Sequence, residues 1–254
     1  MRRGHALLVL LAASRLACST TPSPRGPAVE ADAEPSTPSC SVPLPDDPSP
    51  DPSTLGPAAP SLLVSNALQG YLEPCGCTLD VVRGGIERIA GYACRARQLG
   101  PILAIDTGNA LFDSRSLGAD ELVQGKHKAA LVADLLRAIE VRSTTPGPYD
   151  LALGLATYRE LTAGLPITVA NAHDPQGQVL GESWRILELD GGDGQHYRLG
   201  LSAVIDPGLG LPELVVDDPF EALQSVDAAL DAEAPEARLL IVQGDAAFAA
   251  SLEP

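Results

Sequence analysis

Residues Ser65-Asn-Ala-Leu-Gln-Gly-Tyr-Leu-Glu-Pro-Cys-Gly-Cys77 decide how this chain reads. An apolar run, Ser61-Leu-Leu-Val-Ser65, leads into them, and Gly84-Gly85 opens a helical pattern shortly after. A strand, then a loop of reactive residue types, then a helix is the place where α/β proteins put their sites, because the loop sits at the carboxyl end of the strand.

The flanking sequence alternates in the same way. Ile86, Ile89, Ala90 and Ala93 recur at helical spacing within residues 84–97. Ile102-Leu-Ala-Ile105 is a short continuous apolar strand. Residues 126–140 form an amphipathic helix, residues 149–153 and 167–170 read as strands, and residues 157–163 as a short helix. The runs 183–189 and 197–204 flank Asp190-Gly-Gly-Asp-Gly194 and read as a hairpin or adjacent strands. A helix over 219–232, capped by Asp217 or Asp218, precedes the buried strand Leu239-Leu-Ile-Val242 and a final helix from Ala246. Continuous apolar strands alternating with helices predict an α/β layered sheet with helices on both faces.

N-terminal to this domain the composition changes. Residues 1–18 have the form of an export segment: Arg2 and Arg3, the apolar run Ala6–Ala13, then Leu16-Ala17-Cys18. The run is too short for a membrane-spanning helix, which needs roughly 20 residues. Cys18 follows a small residue, as in a bacterial lipobox, and is the expected lipidation site; Arg15 stands where an aliphatic residue is preferred, so an ordinary signal peptide is the alternative. Residues 19–59 are rich in Pro, Ser, Thr and acidic residues; 12 of the 23 prolines fall between Ser19 and Pro60. Such a stretch cannot bury enough apolar surface to offset its ordering entropy and is expected to be a disordered tether. The folded domain is expected over residues 60–254. With a net charge of −16 and only two lysines, Lys126 and Lys128, nucleic acid is an unfavourable partner. An exported, membrane-anchored protein of the periplasm or outer envelope is the expected setting; no other partner is legible.

Specific residues now join this order of elements. Asn66-Ala-Leu-Gln-Gly70 and Gly84-Gly-Ile-Glu-Arg88 are followed by Asp106-Thr-Gly-Asn109, Tyr149-Asp150, Gly154-Leu-Ala-Thr157 and Pro166-Ile-Thr-Val-Ala-Asn171. This succession resembles the calcineurin-like metallophosphoesterases, especially their secreted 5′-nucleotidase branch and a subset with Glu-Pro-Cys-Gly-Cys at the first loop. The resemblance implies a shortened metallophosphoesterase-like fold and an ancestral pair of divalent metals that activates water against a phosphoryl group. The positions corresponding to its ligands carry Ala67, Gln69, Asn109, Leu155, Ala156 and Gly244. Ala, Leu and Gly have no side-chain donor, and Gln and Asn offer only a neutral oxygen. The metal pair is therefore expected to be lost, leaving no cofactor and a non-catalytic binding module, a pseudoenzyme of the family. A residual phosphohydrolase using Asp106, Asn109 and Gln69 is an alternative. None of His5, His127, His173 and His196 falls at a ligand position, and each is expected to be a solvated surface residue.

The thiols remain open. Cys75 or Cys77 can form a disulfide with Cys94, pinning the loop to the following helix, or Cys75 and Cys77 can act together as a redox or soft-metal site. Cys40, in the tether, has no local partner and is read as incidental.

Overall fold

The computed structural model describes residues 7–12, 60–73, 85–191, 194–211 and 213–252. The tether (residues 19–59), Cys18, Cys40, Cys75 and Cys77 lie outside them. Two sheets pack face to face. In one, β2 (Ser61–Ser65) runs parallel to β3 (Ile102–Asp106). Isolated bridges extend it from Asp106 to Thr144, from Thr144 to Ile167 and from Thr168 to Glu182. The other has the order β1-β8-β6-β5, from β1 (Leu7–Ala12), β8 (Ala237–Gln243), β6 (His196–Ile205) and β5 (Trp184–Asp190). A small antiparallel pair, β4 (Ala172–His173) with β7 (Val215–Val216), stands apart.

Strand periodicity explains the layering. Successive side chains point to opposite faces. On β3, Leu103 and Ile105 meet Leu187, Leu201, Ala203, Leu239 and Ile241 between the sheets. Ala104 points the other way, into the cluster under α1 (Ile86–Leu99), α2 (Leu122–Ala138) and α3 (Gly154–Leu161). On β8, Leu240 and Val242 face away from the first sheet and pack with Leu223 of α4 (Pro219–Glu233) and Ala249 and Phe248 of α5 (Ala246–Ser251). The result is helix, sheet, sheet, helix: the expected α/β layered sheet covered on both faces.

Local elements follow their sequence signals, with three exceptions. Asp218, not Asp217, caps α4: its carboxylate accepts from the N–H groups of Phe220 and Glu221. The 183–189 and 197–204 runs form the expected antiparallel pair. The first exception is residues 149–153, expected as a strand: they are turns, ending at Gly154 with φ +81°. Thr144 takes the sheet position instead, and Asp150 is free to bond the neighbouring loop. The second is residues 167–170, which join the sheet only through isolated bridges at Ile167 and Thr168. The third is Leu131, an apolar residue within the expected amphipathic helix of residues 126–140 that is 53% exposed. The buried stripe is Ala129, Val132, Ala133 and Leu136, at spacings of three, one and three, and Leu131 falls on the opposite side. Among the described residues no helix is long and apolar enough to cross a membrane.

Candidate functional site

Parallel strands β2 and β3 stop at the same level, Ser65 opposite Asp106, so their following loops lie side by side. The loops are stitched by backbone bonds: the N–H groups of Ala67, Gln69 and Gly70 donate to the carbonyls of Gly108, Asn109 and Ala110 at 3.1, 2.9 and 2.8 Å. This close approach requires left-handed backbone at Ala67 (φ +51°), Gln69 (φ +52°) and Asn109 (φ +55°). Left-handed backbone is rare outside glycine, and it clusters at sites whose surroundings over-determine it.

Beneath the loops lies a sealed polar floor. Asp106 is fully buried. It accepts hydrogen bonds from the Ser65 hydroxyl at 2.7 Å, the Thr144 hydroxyl at 2.9 Å and the Gly108 N–H at 3.0 Å. Burial raises its pKa and these three donors pull it back. Asp150, 3% exposed, accepts from the N–H groups of Asn109, Gly147 and Leu111 at 2.7, 2.8 and 2.9 Å. Burial pushes its pKa up to about 6 against the pull of those bonds. A strongly shifted carboxyl often marks a reactive group. Here both oxygens are turned to backbone donors, so the shift records a buried loop cap and not an exposed acid.

Asn109 sits at the centre. Its Oδ1 accepts from the Tyr149 N–H at 3.0 Å, and its Nδ2 donates to Oε1 of Gln243 at 3.4 Å. Gln243, at the end of β8, donates from Nε2 to the Thr107 carbonyl. Thr107 in turn donates its hydroxyl to Oδ1 of Asn66 at 3.0 Å. An amide pair, Asn109 with Gln243, thus ties the first sheet's loops to the second sheet's β8. The Tyr158 hydroxyl, on α3, is buried with no hydrogen-bond partner among the described residues, and its pKa is raised well above the usual value by burial and then by the charges of Asp150 and Asp106.

The six expected ligand positions scatter. Ala67, Gln69 and Asn109 come together at the two loops, and Gly244 follows Gln243. A β-carbon at Gly244 would meet the Phe248 ring at 2.5 Å, so that position is closed by packing. Leu155 is buried in the helix-side core and its N–H goes to Glu213, while Ala156 is exposed. Among the described residues no three His, Cys, Asp or Glu side chains converge in a metal-holding arrangement. His173 lies beside the Asp174 carbonyl and Asp217, and His196 beside Asp190 and Glu188; the backbone bond to Asp174 in the first case and the bond to Asp190 in the second raise their pKa values. His127 is exposed on α2. The anionic oxygens of Asp106 and Asp150 are spent on the protein's own donors. The donor set at these loops therefore does not fit a pair of divalent cations, which need anionic or imidazole donors turned to one space.

Gln243, Asp150 and Thr144 do not stand out in the sequence as site residues. Gln243 carries one signal, a lone amide ending an apolar strand; Asp150 stands in the Tyr149-Asp150 phrase of the resemblance but without an expected role, and Thr144 carries no signal beyond its neighbourhood to a proline turn. Cys94 is in a disulfide, and its partner lies outside the described residues, as do Cys75 and Cys77. A cleft of about 520 Å³ opens beside Gln69, walled by Gly70, Leu111, Phe112, Asp113 and Lys128. A larger groove of about 780 Å³, lined by Arg142, Trp184, Arg185 and Arg198 among others, shares no residue with the loops.

The sequence matches no family model and no curated protein. Solved structures with the same fold include the calcineurin-like phosphoesterase YfkN from Bacillus subtilis, with a TM-score of 0.53 and 17% identity over 71% of this chain and 60% of that one. A 5′-nucleotidase precursor from Thermus thermophilus aligns with a TM-score of 0.57 and 19% identity over 71% of this chain and 36% of its own. The NAD nucleotidase of Haemophilus influenzae aligns with a TM-score of 0.56 and 16% identity over 75% and 35%. The chain thus spans between about a third and three fifths of these proteins. Its fold is that of the calcineurin-like phosphoesterases and 5′-nucleotidases.

Proposed function

We propose that this chain is an exported, non-catalytic phosphoesterase-fold domain, anchored through Cys18 at the periplasmic or outer-envelope face and acting as a binding module. The observation that carries the reading is the Asn109–Gln243 amide pair. It joins the β3 loop to the end of β8 through one amide–amide hydrogen bond and the Gln243 bond to the Thr107 carbonyl, in a position where a phosphoesterase of this fold would need anionic donors. Asp106 and Asp150 cap backbone and hydroxyl groups there and cannot activate water. The loop cleft beside Gln69 is a ligand-sized space at the first of these loops. Export, and lipid attachment at Cys18, are supported by the basic-apolar N-terminus and the residues before Cys18.

The test is metal content and turnover on the purified full chain. With Mn²⁺ or Zn²⁺ supplied, the protein is expected to retain no stoichiometric metal after gel filtration and to hydrolyse neither nucleotides nor aryl phosphates. Metal-dependent turnover that Asn109→Ala abolishes would overturn the reading and restore the residual phosphohydrolase. The disulfide at Cys94 favours a loop-pinning role for the thiols over a redox couple. Peptide mapping under non-reducing conditions is expected to link Cys94 to Cys75 or Cys77; a free, readily exchanging pair at both positions would favour the redox reading.

A further inference from the structure

The cleft of about 520 Å³ beside Gln69 is lined by polar side chains that the protein does not spend on itself. The chain has two lysines, and Lys126 is paired with Glu160 at 2.9 Å. Lys128, on α2, is half-buried in the cleft; among the described residues its ammonium meets no carboxylate and donates no hydrogen bond. The side-chain amides of Gln69 and Gln124 and the carboxylate of Asp113 line the same cleft and are likewise unbonded among the described residues. Gln69 is held at φ +52° through its N–H bond to the Asn109 carbonyl, so the loop maintains an uncommon backbone at a residue whose amide the fold leaves over. Gly125 keeps the space open. Glycine is a poor helix former, yet it stands within α2, where a β-carbon would come 2.6 Å from Cδ1 of Leu117, another cleft residue.

The charges select the ligand. Lys128 shares the cleft with Asp113 and Glu121 and forms an ion pair with neither. A wholly apolar ligand would take the ammonium of Lys128 out of water with nothing to compensate it. A phosphate dianion would meet Lys128 but be repelled by Asp113 and Glu121 in a chain of net charge −16. A zwitterion satisfies both signs at once. Two glutamine amides, each a donor and an acceptor, match one peptide group. We propose that the cleft binds a dipeptide. Its carboxylate lies on Lys128, its ammonium on Asp113, its peptide group between Gln69 and Gln124, and an apolar side chain against Leu117. Glu121 adds negative potential as the lesser partner, because its Oε2 already accepts from the Gly118 N–H at 2.9 Å. This assignment names the ligand of the binding-module reading and rests on it.

The probe is alanyl-leucine, titrated calorimetrically into the full chain beside N-acetyl-alanyl-leucine, which lacks the ammonium, and alanyl-leucinamide, which lacks the carboxylate. The free dipeptide is expected to bind one to one, and each blocked form about tenfold more weakly, the loss of one charge-assisted hydrogen bond. Lys128→Gln is expected to bind alanyl-leucine about tenfold more weakly and to lose its preference over the leucinamide; Asp113→Asn is expected to lose its preference over the N-acetyl form. Gly125→Ala drives Leu117 into the cleft and is expected to weaken binding of all three while leaving the urea midpoint unchanged or higher, which separates a blocked cleft from a damaged fold. No saturable binding up to about 1 mM, equal binding of free and blocked dipeptides, or tighter binding of orthophosphate would overturn the proposal. Should a variant not fold, the wild-type titrations decide alone. Metal-dependent phosphate hydrolysis would overturn the non-catalytic reading and leave these titrations standing; absence of dipeptide binding without turnover would remove this assignment alone.

Discussion

Substituting Gln243 by methionine and by alanine separates the two things its side chain does. It is 1% exposed, donates to the Thr107 carbonyl and accepts from Asn109 Nδ2. Methionine keeps the length and volume but removes the bonds to the Thr107 carbonyl and from Asn109 Nδ2, and Thr107 and Asn109 are each 2% exposed, so water does not replace the lost bonds. A buried group left unpaired costs about 1–3 kcal/mol, and the 3.4 Å Asn109 contact belongs at the low end. Gln243→Met is therefore expected to cost about 2–3 kcal/mol. Alanine adds a cavity between the sheets' ends, bringing the loss to about 4–5 kcal/mol by analogy with Met→Ala core truncations. With a urea dependence of about 2–3 kcal/mol per molar for a domain this size, the midpoints should fall by about 1 M and about 2 M. The assay is equilibrium urea unfolding of the full chain, followed by Trp184 fluorescence and circular dichroism. Excess Mn²⁺ should shift neither the wild-type nor the variant midpoints, since a metal that bound only the folded state would stabilise it by mass action. A Gln243→Met variant as stable as wild type, or a wild-type midpoint raised by Mn²⁺, would refute the view that amide bonding stands where metal ligation would be.

Three further outcomes follow from the same floor. Asp150 has a folded pKa of about 6 against an ordinary 3.8, so the folded state binds the proton more tightly than the unfolded one, and its contribution is fully present below pH 3.8 and lost as pH rises through 6. Between pH 5 and 7 this group alone lowers stability by about 1 kcal/mol, and unfolding curves of Asp150→Asn should lack that component of the pH slope while being less stable throughout. Tyr158→Phe removes a buried hydroxyl that has no partner among the described residues and should leave the melting temperature unchanged or raise it, corresponding to as much as about 1 kcal/mol; a clear drop would reveal a bond to that hydroxyl. Gly108→Ala places a β-carbon 2.2 Å from the Thr145 carbonyl and 2.5 Å from Gln243 Nε2 at φ +96°, and should cost about 3 kcal/mol or more in the same unfolding assay.

Residues alone are informative where periodicity speaks and weak where only three-dimensional neighbours can. α1, α4, β3, β5, β6 and β8 lie within a few residues of their expected places, because each carries an apolar repeat bounded by Gly, Pro or a capping Asp. The turn at residues 149–153 misleads, since Tyr149-Asp-Leu-Ala-Leu153 has strand composition. What overrides it is Asp150, whose carboxylate collects three N–H groups from residues up to 41 positions away. Leu7–Ala12 reads locally as an export segment; its pairing with β8 needs a register 231 residues away, which no local pattern contains.

By itself the sequence determined the α/β alternation, the acidic composition of the chain, and the uncharged side chains of Ala67, Gln69 and Asn109 in the strand-end loops. These are properties of composition and spacing, and local backbone preference is enough to express them. The tertiary structure alone decided what the Asn109 amide meets. Gln243 comes from a strand of the opposite sheet and lies 134 positions from Asn109, and only the face-to-face packing of the two sheets brings their amides together. Pairing across such a separation is fixed by where buried polar groups can find partners once water is excluded, and that is settled by the whole fold and by no segment of it.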